Sequence, residues 1–528
     1  MAMTAHPADL YESAGSSTRA PDMKLSLLSN AIWSMTSGIS GAAAALLLPP
    51  FLTHRLDPAT YGAWALALQI GAYINLLGFG LQVAVGRYVA IADAESDRAM
   101  RDGIVATAFY FLTAAAALGF LILCALASKL KLVIPSLPPG LLNQTSVAIA
   151  VLGVAFAVNL PATIFAAVFT GMRRADVPAI IQGGGRLAMV AAVIVAVQLT
   201  TDLRWLAAAY TVVSLATAFA LWVAWRRKTA LPRIALAAVS RRIGRELAGY
   251  CLSLTIWNLS MLMVNGLDAV IVARWDLAAL PYFAVSVTLA TFVSGIVQSL
   301  ANPIIPVSAA ISAANNDAQL DDLLVRGSRV IIGASILATV PLVFAGGSIL
   351  QLWLGSEYAA NATFLLAGLA IASCVRNLLL TYVMVAIGTG LQRKLTATPL
   401  IEGTVCIIGA LALVGPLGAA GVVYAKILGG LVGITLLIIQ NPLQSSILTL
   451  RPADMLRRLI IRPSAAWVPL LVFLPMGSTD DVSLNRLLVT MVMAAAAVWM
   501  LSLRHEDRKA VYQDIRRRSR QLMSRMLS

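Results

Sequence analysis

Charged residues are scarce in this chain. Asp, Glu, Lys and Arg make up 12% of its 528 residues, whereas about 25% is usual in a soluble domain. Hydrophobic residues make up 59%, and the mean hydropathy is +0.84. At this composition, a soluble fold would lack the polar surface that it needs. The apolar runs are continuous, whereas the strands of an outer-membrane barrel alternate apolar and polar residues. The composition therefore indicates an all-α polytopic membrane protein.

Cysteine and histidine are also rare. The four cysteines lie inside apolar runs without a CxxC spacing, which predicts reduced, buried thiols rather than disulfides or metal ligands. His6, His54 and His505 lie outside every apolar run, which argues against a histidine-based active site or a zinc site. None of the seven lysines follows a glycine, so there is no Walker A loop for ATP. We therefore expect no cofactor and no enzymatic activity.

Fourteen apolar stretches can be read as membrane spans. They lie near residues 28–50, 63–86, 104–127, 145–170, 178–198, 205–225, 248–272, 280–303, 328–351, 361–388, 396–415, 419–440, 464–476 and 484–503. The thirteenth is short and contains Pro469 and Pro475, which predicts an irregular or re-entrant segment. The sequence thus predicts about fourteen transmembrane helices.

Lys and Arg are distributed unequally between the two sides of these spans. With the N-terminus inside, 30 of the 39 basic residues fall in cytoplasmic segments, 6 fall outside and 3 fall within spans. This pattern predicts a multi-pass membrane protein with both termini in the cytoplasm. The net charge of +15 is accordingly attributed to contact with anionic membrane lipids, and no nucleic acid partner is expected.

A basic segment divides the chain into two halves. The predicted organisation is a disordered cytoplasmic tail (1–24), an N-terminal six-helix bundle (25–226), a basic cytoplasmic linker (227–247), a C-terminal six-helix bundle (248–440), a terminal helix pair (441–503) and a basic tail (504–528). In the tail, four apolar residues fall near one helical face, which predicts a helix on anionic inner-leaflet lipid. These residues are Val511, Ile515, Leu522 and Met526.

Short motifs recur between the two halves at offsets of 219 to 224 residues. Ile32–Trp33–Ser34 recurs as Ile256–Trp257–Asn258, and Thr170–Gly171 recurs as Thr389–Gly390. Six spans return the chain to the side on which it started. The halves are therefore predicted to be parallel repeats, as in transporters with a central cavity between two bundles.

Three basic residues fall within spans, where a charge costs about 2.5–3.5 kcal/mol on insertion scales. They are Arg186, Arg376 and Lys426. Cations in a bundle interior suit a polyanionic substrate such as a diphosphate, although each can instead pair with an acid or extend to the membrane surface. Two acids accompany them. Glu402 is expected to pair with a cation or to carry a coupling proton, and Asp268 to cap a helix, pair with Arg274 or serve in coupling.

Polar residues on the first two spans complete the set of candidate substrate ligands. They are Asn30, Gln69, Asn75 and Gln82. Any one of them can equally form a hydrogen bond between helices.

Several short motifs lie at the ends of the predicted spans. Asp57 is followed by Tyr61–Gly62, and the second span ends with Gly78, Gly80 and Arg87–Tyr88. With Thr170–Gly171 and its repeat, these motifs are similar to those of bacterial polysaccharide transporters. The chain resembles the Wzx-type lipid-linked oligosaccharide flippases of the multidrug/oligosaccharidyl-lipid/polysaccharide exporter superfamily.

The resemblance covers about residues 25–503 in layout. It implies two six-helix bundles that work by alternating access. The implied substrate is a polyprenyl-diphosphate-linked oligosaccharide, moved from the inner to the outer leaflet for exopolysaccharide, capsule or O-antigen synthesis. Polysaccharide polymerase and export machinery are the implied partners. The long basic tail has no counterpart in this resemblance.

Three alternatives remain open. The same superfamily includes ion-coupled multidrug exporters, although the first six spans contain no clear mid-membrane carboxylate of the kind that such an exporter would use. Export of a peptidoglycan lipid precursor is compatible with the extra terminal helix pair. A membrane polysaccharide polymerase is a different class, and the short outward-facing loops argue against it.

Overall fold

The computed structural model describes most of the chain between residues 41 and 502. The described residues are 41, 44–78, 80–95, 97–172, 174–227, 234–314, 316–391, 395–444, 452–467 and 484–502. Several predictions lie outside them: the N-terminal tail, Asn30, the motif at residues 32–34, most of the thirteenth span and the basic C-terminal tail.

The described residues are almost entirely helical, and none of them forms a β-strand. We number the helices of eight or more residues in chain order. They are α1 (Ala44–Thr53), α2 (Pro58–Ala72), α3 (Leu81–Ala94), α4 (Arg98–Ser128), α5 (Pro139–Gly171), α6 (Asp176–Leu199), α7 (Leu203–Arg226), α8 (Arg241–Asn265), α9 (Asp268–Trp275), α10 (Leu280–Ala301), α11 (Ile304–Ala313), α12 (Asp317–Phe344), α13 (Gly346–Leu354), α14 (Ser356–Asn377), α15 (Leu380–Gly388), α16 (Ala397–Leu417), α17 (Ala419–Gln444) and α18 (Leu484–Ala497).

Within the described part of the chain, nine helical segments are long and apolar enough to cross a membrane. Shorter helices occupy the positions of most remaining predicted spans. The predicted all-α polytopic fold is therefore confirmed.

Among the described residues, four spans that hydropathy predicts as continuous are interrupted. The second is divided by a 3₁₀ turn at Tyr73–Gly78, the seventh at Gly266–Leu267, the ninth at Ala345 and the tenth at Leu378–Leu379. A hydropathy profile measures only apolarity, and the residues at these breaks are mostly apolar. Interrupted spans in transporters commonly lie near binding sites, because the exposed backbone groups at a break need polar partners.

The chain divides into two compact units, with the boundary inside α10 between Ala284 and Val285. In the first unit, α5 is the central helix and packs against α2, α3, α4 and α7. In the second unit, α17 packs against α14 and α16, while α14 also packs against α12 and α13. The predicted division into six-helix bundles on either side of residues 227–247 stays a prediction.

The Asp57 motif has a local structural role. The Asp57 carboxylate caps α2 by accepting hydrogen bonds from the Thr60 amide (3.0 Å) and the Thr60 hydroxyl (2.7 Å), while Pro58 occupies the first helical position. Tyr61 is buried, and Gly62 packs against the ring of Pro281. The motif thus starts α2 and brings it into contact with the first residues of α10.

The repeated Thr–Gly motif also forms similar local structure in both units. The Thr170 hydroxyl donates to the Ala166 carbonyl oxygen at 2.9 Å, and the Thr389 hydroxyl donates to the Val385 carbonyl oxygen at 3.0 Å. Both bonds close the last turn of a helix in the same i to i−4 pattern. Thr404 and Thr435 form the same bond within other helices, so the internal duplication stays a prediction.

Adjacent glycines on α6 offer a matched test of its packing against α7. A Cβ at Gly185 would overlap the hydroxyl and methyl groups of Thr217, whereas a Cβ at Gly184 would meet nothing within 4 Å. We expect Gly185→Ala to destabilise the protein by about 1–3 kcal/mol, since α6 and α7 must separate. Gly184→Ala should leave the thermal unfolding temperature of the purified protein unchanged.

A second substitution checks the cause. Thr217→Ala removes the two overlapping atoms, so the Gly185→Ala/Thr217→Ala protein should recover most of the stability lost in Gly185→Ala. Equal unfolding temperatures for Gly184→Ala and Gly185→Ala would contradict this close approach.

Candidate functional site

A membrane-embedded ion pair lies in the second unit. Nε of Arg376, in the last turn of α14, is 2.7 Å from Oε1 of Glu402 on α16. The Glu402 side chain is 9% exposed and the Arg376 side chain 29% exposed, so the carboxylate is the deeper partner. Pairing with a cation was one of the two uses predicted for Glu402. The partly accessible guanidinium leaves part of this site open to an anionic ligand.

The small-residue face of α17 makes room for this pair. A Cβ at Gly433 would lie 3.1 Å from Oε2 of Glu402, and a Cβ at Gly430 would lie 3.3 Å from Cγ of Arg376. Larger side chains at these positions would push into the carboxylate and the arginine stem. The glycines therefore let α14, α16 and α17 converge on one polar cluster.

Lys426 adds a second positive charge to this cluster. It lies on α17 one turn before Gly430, is half-buried, and its charge acts on Glu402. We call Arg376, Glu402 and Lys426 the α14–α17 cluster. It contains two cations and one anion, so its formal charge is +1.

The tenth span is interrupted directly after Arg376. Asn377 is buried, and its amide nitrogen donates to the Ser335 hydroxyl oxygen of α12 at 3.2 Å. Because α14 ends at Asn377, the cation of Arg376 lies at a helix C-terminus, where the carbonyl dipoles stabilise positive charge. The break was not predicted, because Asn377–Leu378–Leu379 contains neither glycine nor proline.

Arg186 lies in the first unit, on α6. A Cβ at Gly41 would be 3.3 Å from Nη1 of Arg186, so the guanidinium packs against the first span. The side chain is half-buried, and its charge acts on the phenol of Tyr210 on α7. Arg186 is therefore held between α6, α7 and the first span.

Polar residues near Arg186 were missed at the sequence level. The side-chain amide of Asn159 on α5 donates to the Ser214 hydroxyl oxygen of α7 at 2.5 Å. The ring centroids of Tyr210 and Phe156 are 6.0 Å apart. Tyr210, Ser214 and Thr217 follow an i, i+4, i+7 spacing, which places them along one face of α7. That spacing within an apolar span was the signal that could have identified them.

A third polar cluster surrounds the break in the seventh span. The Gly266 carbonyl oxygen accepts from the Tyr73 hydroxyl at 2.5 Å and from the Gln69 amide at 3.2 Å. Asp268 is buried at the start of α9, and its charge acts on Tyr73. Gln69 thus forms a helix-to-helix hydrogen bond, the alternative that its sequence position left open.

Arg274, near the end of α9, forms hydrogen bonds with backbone carbonyl groups. Nη1 of Arg274 donates to the carbonyl oxygens of Leu132 (2.9 Å) and Val133 (2.8 Å). Asp268 and Arg274 are six residues apart on α9, so their side chains leave the helix about 120° apart. The arginine therefore fastens the turn after α4 to the end of α9.

The remaining predicted ligands that the structure describes lie beside the break in the second span. The side chains of Asn75, in the 3₁₀ turn, and Gln82, on α3, are exposed. Among the residues that the structure describes, no group of three or more His, Cys, Asp or Glu side chains is positioned to hold a metal ion.

These features define a class of protein. The chain is a polytopic helical membrane protein with interrupted spans, and it carries cations at two separate membrane positions. The model of one family, described as polysaccharide biosynthesis protein, matches residues 27–312, which is more than half of the chain. The chain belongs to the polysaccharide biosynthesis protein family. A comparison with curated protein sequences finds no match.

Solved structures with the same fold are transporters. A structure of the lipid II flippase MurJ, in the inward closed conformation, matches with a TM-score of 0.70 and 12% identity over 92% of this chain and 99% of that chain. An inward-facing multidrug resistance MATE family transporter of the MOP superfamily matches with a TM-score of 0.66 and 13% identity over 75% and 92%. A eukaryotic MATE transporter matches with a TM-score of 0.57 and 14% identity over 79% and 97%. The family match and these structures together show the polysaccharide biosynthesis protein family and an all-α polytopic fold.

The Arg376–Glu402 pair can be tested by a double-mutant cycle. We expect Arg376→Gln and Glu402→Gln each to lower the thermal stability of the purified protein, since each leaves one ion of the pair without its counter-charge. The double substitution should cost less than the sum, with a coupling free energy of about 1–3 kcal/mol. Additive effects in the cycle would show that the two groups do not stabilise one another.

Proposed function

We propose that the chain is a flippase that moves a polyprenyl-diphosphate-linked oligosaccharide from the inner to the outer leaflet of the bacterial cytoplasmic membrane. The observation that carries this proposal is the presence of two membrane-embedded arginine sites in a chain of the polysaccharide biosynthesis protein family. Arginine binds phosphate oxygens through paired, charge-assisted hydrogen bonds, so these sites suit a diphosphate.

The α14–α17 cluster supports a specific binding step. The carboxylate of Glu402 holds Arg376 in the absence of substrate, and a diphosphate that reaches Arg376 competes with that carboxylate. Lys426 supplies the second positive charge for the doubly charged ligand. In this scheme Glu402, once displaced, is free to take up a proton and thereby couple substrate binding to an ion gradient.

Arg186 is proposed to contact the diphosphate or an acidic sugar at another stage of transport. Tyr210 and Ser214, on the neighbouring face of α7, supply hydroxyl groups that suit a glycan. Asn75 and Gln82 are proposed as further sugar ligands, and Asp268 as a second coupling group. Because the sequence contains no Walker A loop, we propose that an ion gradient or the membrane potential drives alternating access.

The proposed setting follows from the charge distribution. Both termini lie in the cytoplasm, in accordance with the positive-inside pattern. The flipped product then meets a polysaccharide polymerase and the export machinery at the outer leaflet. The chain itself is proposed to have no catalytic role in chain growth.

A deletion strain tests this function directly. Mass spectrometry of polyprenyl-linked glycans should show a complete, unpolymerised repeat unit accumulating on the inner leaflet, while secreted polysaccharide is lost. An unchanged lipid-linked pool with intact polysaccharide would reject the proposal and favour export of a drug or another lipid. Accumulation of the peptidoglycan precursor instead would assign that lipid as the substrate, and in vitro synthesis of longer glycans would indicate a polymerase.

The two arginines can be tested in the same strain. Arg186→Ala and Arg376→Ala should each abolish polysaccharide export while membrane protein levels stay normal. Because Arg376→Ala leaves Glu402 without its counter-charge, the Arg376→Ala/Glu402→Gln protein is measured beside it and should also fail to export.

Arg204 provides the matched control. It is exposed at the start of α7 and pairs with Asp202 at 2.5 Å, outside both arginine sites. Arg204→Ala should export at the wild-type level. Normal export by both Arg186→Ala and Arg376→Ala would overturn the assignment of these arginines to the substrate.

A further inference from the structure

A cleft of about 720 Å³ opens where α4 meets the start of α8, and neither Arg186 nor Arg376 lines it. Its volume is within the range of about 300–1,000 Å³ that is usual for small-ligand sites. Its lining includes Thr107, Tyr110 and Phe111 of α4, together with Val239, Arg241 and Arg245.

The segment that forms one wall of the cleft is fixed to α4. The Ser240 amide donates to the Thr107 hydroxyl oxygen at 3.1 Å, and the Ser240 hydroxyl caps α8 at the Ile243 amide. A Cβ at Gly103 would lie 2.7 Å from Cδ1 of Ile243, so the two elements are in close contact. The cleft is therefore part of the first unit's packed structure.

The cleft combines positive charge with exposed apolar surface. Arg241 and Arg245 are exposed and lie one helical turn apart on α8, so both guanidinium groups can reach one phosphate. Phe111 is 51% exposed and Val239 is 42% exposed, and the neighbouring Leu236 is 70% exposed. No acidic residue occurs between Asp202 and Glu246. The positive charge of this stretch of chain is thus not offset by acids of its own.

The position of the cleft matches a membrane surface. Thr107, Tyr110 and Phe111 lie in the third and fourth turns of the membrane-spanning α4, which begins at Arg98. The cleft thus lies at the end of a span, on the side that the basic residues assign to the cytoplasm. At this depth the headgroups of the inner leaflet meet the acyl chains.

We propose that this cleft binds an anionic glycerophospholipid of the inner leaflet. Its phosphate lies between Arg241 and Arg245, and its acyl chains extend along Phe111, Val239 and Leu236. This site is separate from the arginines assigned to the transported lipid, so its occupancy can be measured without any transport assay.

The test uses the full-length, delipidated protein in detergent. Native mass spectrometry measures retention of phosphatidylglycerol, with phosphatidylcholine as the headgroup control. Arg241→Gln/Arg245→Gln should bind phosphatidylglycerol about tenfold or more weakly, because each basic residue near a membrane surface contributes about 1 kcal/mol to binding of anionic lipid. Phosphatidylcholine should be retained equally by all variants.

Arg226→Gln/Arg227→Gln is the matched control. It removes the same two charges at the end of α7, where Arg226 stacks over Trp222 at 5.4 Å, and neither residue lines the cleft. This variant should retain phosphatidylglycerol like the wild type. Val239→Asp, which leaves both arginines in place, should also weaken retention and so confirms the cleft independently.

Three outcomes would overturn the proposal. The first is equal loss of phosphatidylglycerol in the two arginine pairs, which would indicate a diffuse charge effect. The second is displacement of the lipid by inorganic phosphate at the same concentration, which would indicate a site for a free anion. The third is tighter binding of a short-chain polyprenyl diphosphate with the same dependence on Arg241 and Arg245, which would assign the cleft to the transported lipid.

Discussion

The cost of holding a charge inside a membrane is the constraint on which the candidate site depends. An ion in the hydrocarbon region needs a partner or a polar cavity, and the second unit meets this need by joining Arg376 to Glu402. The joining requires close helix packing, which the glycines of α17 permit at positions 430 and 433. A glycine face, a broken span and an ion pair thus form one structural arrangement. Each of the three features depends on the other two to hold the charges within the membrane.

The two units meet the same constraint with different residues. The fifth span of the first unit, α6, carries the cation Arg186, whereas its counterpart in the second unit, α16, carries the anion Glu402. The neighbours of Arg186 include the phenol of Tyr210 and Gly41 of the first span. Thr170 and Thr389 each close a helix end with the same hydrogen bond, while the polar interiors of the two units differ. An asymmetric, amphiphilic substrate with charged, sugar and lipid parts is compatible with that difference.

The sequence predicted the features that depend on composition. Membrane spans follow from apolarity, and Arg186, Arg376, Lys426 and Glu402 stood out because charge is rare in such spans. The break at Leu378–Leu379 could not be read from the sequence, because neither glycine nor proline marks it, whereas the break at Gly266 coincides with an Asn–Gly turn signal that a hydropathy profile does not register. The pairing of Arg376 with Glu402 joins residues 26 positions apart in sequence on different helices, so only packing fixes it. The polar face of α7 could have been predicted by searching the span for hydroxyl-bearing residues at helical spacing, as well as for charged residues.

The interruption of the tenth span has a mechanical consequence. Arg376 lies in the last turn of α14, and two residues, Leu378 and Leu379, separate that helix from α15. The residues after the break are held by apolar packing, because Leu380, Tyr382 and Val385 of α15 share a buried cluster with Leu320 and Leu324 of α12. A change of the backbone angles at Leu378 and Leu379 would therefore reorient α15 only at the cost of this apolar contact. The chain on one side of the break is held by charge and the chain on the other side by hydrophobic packing.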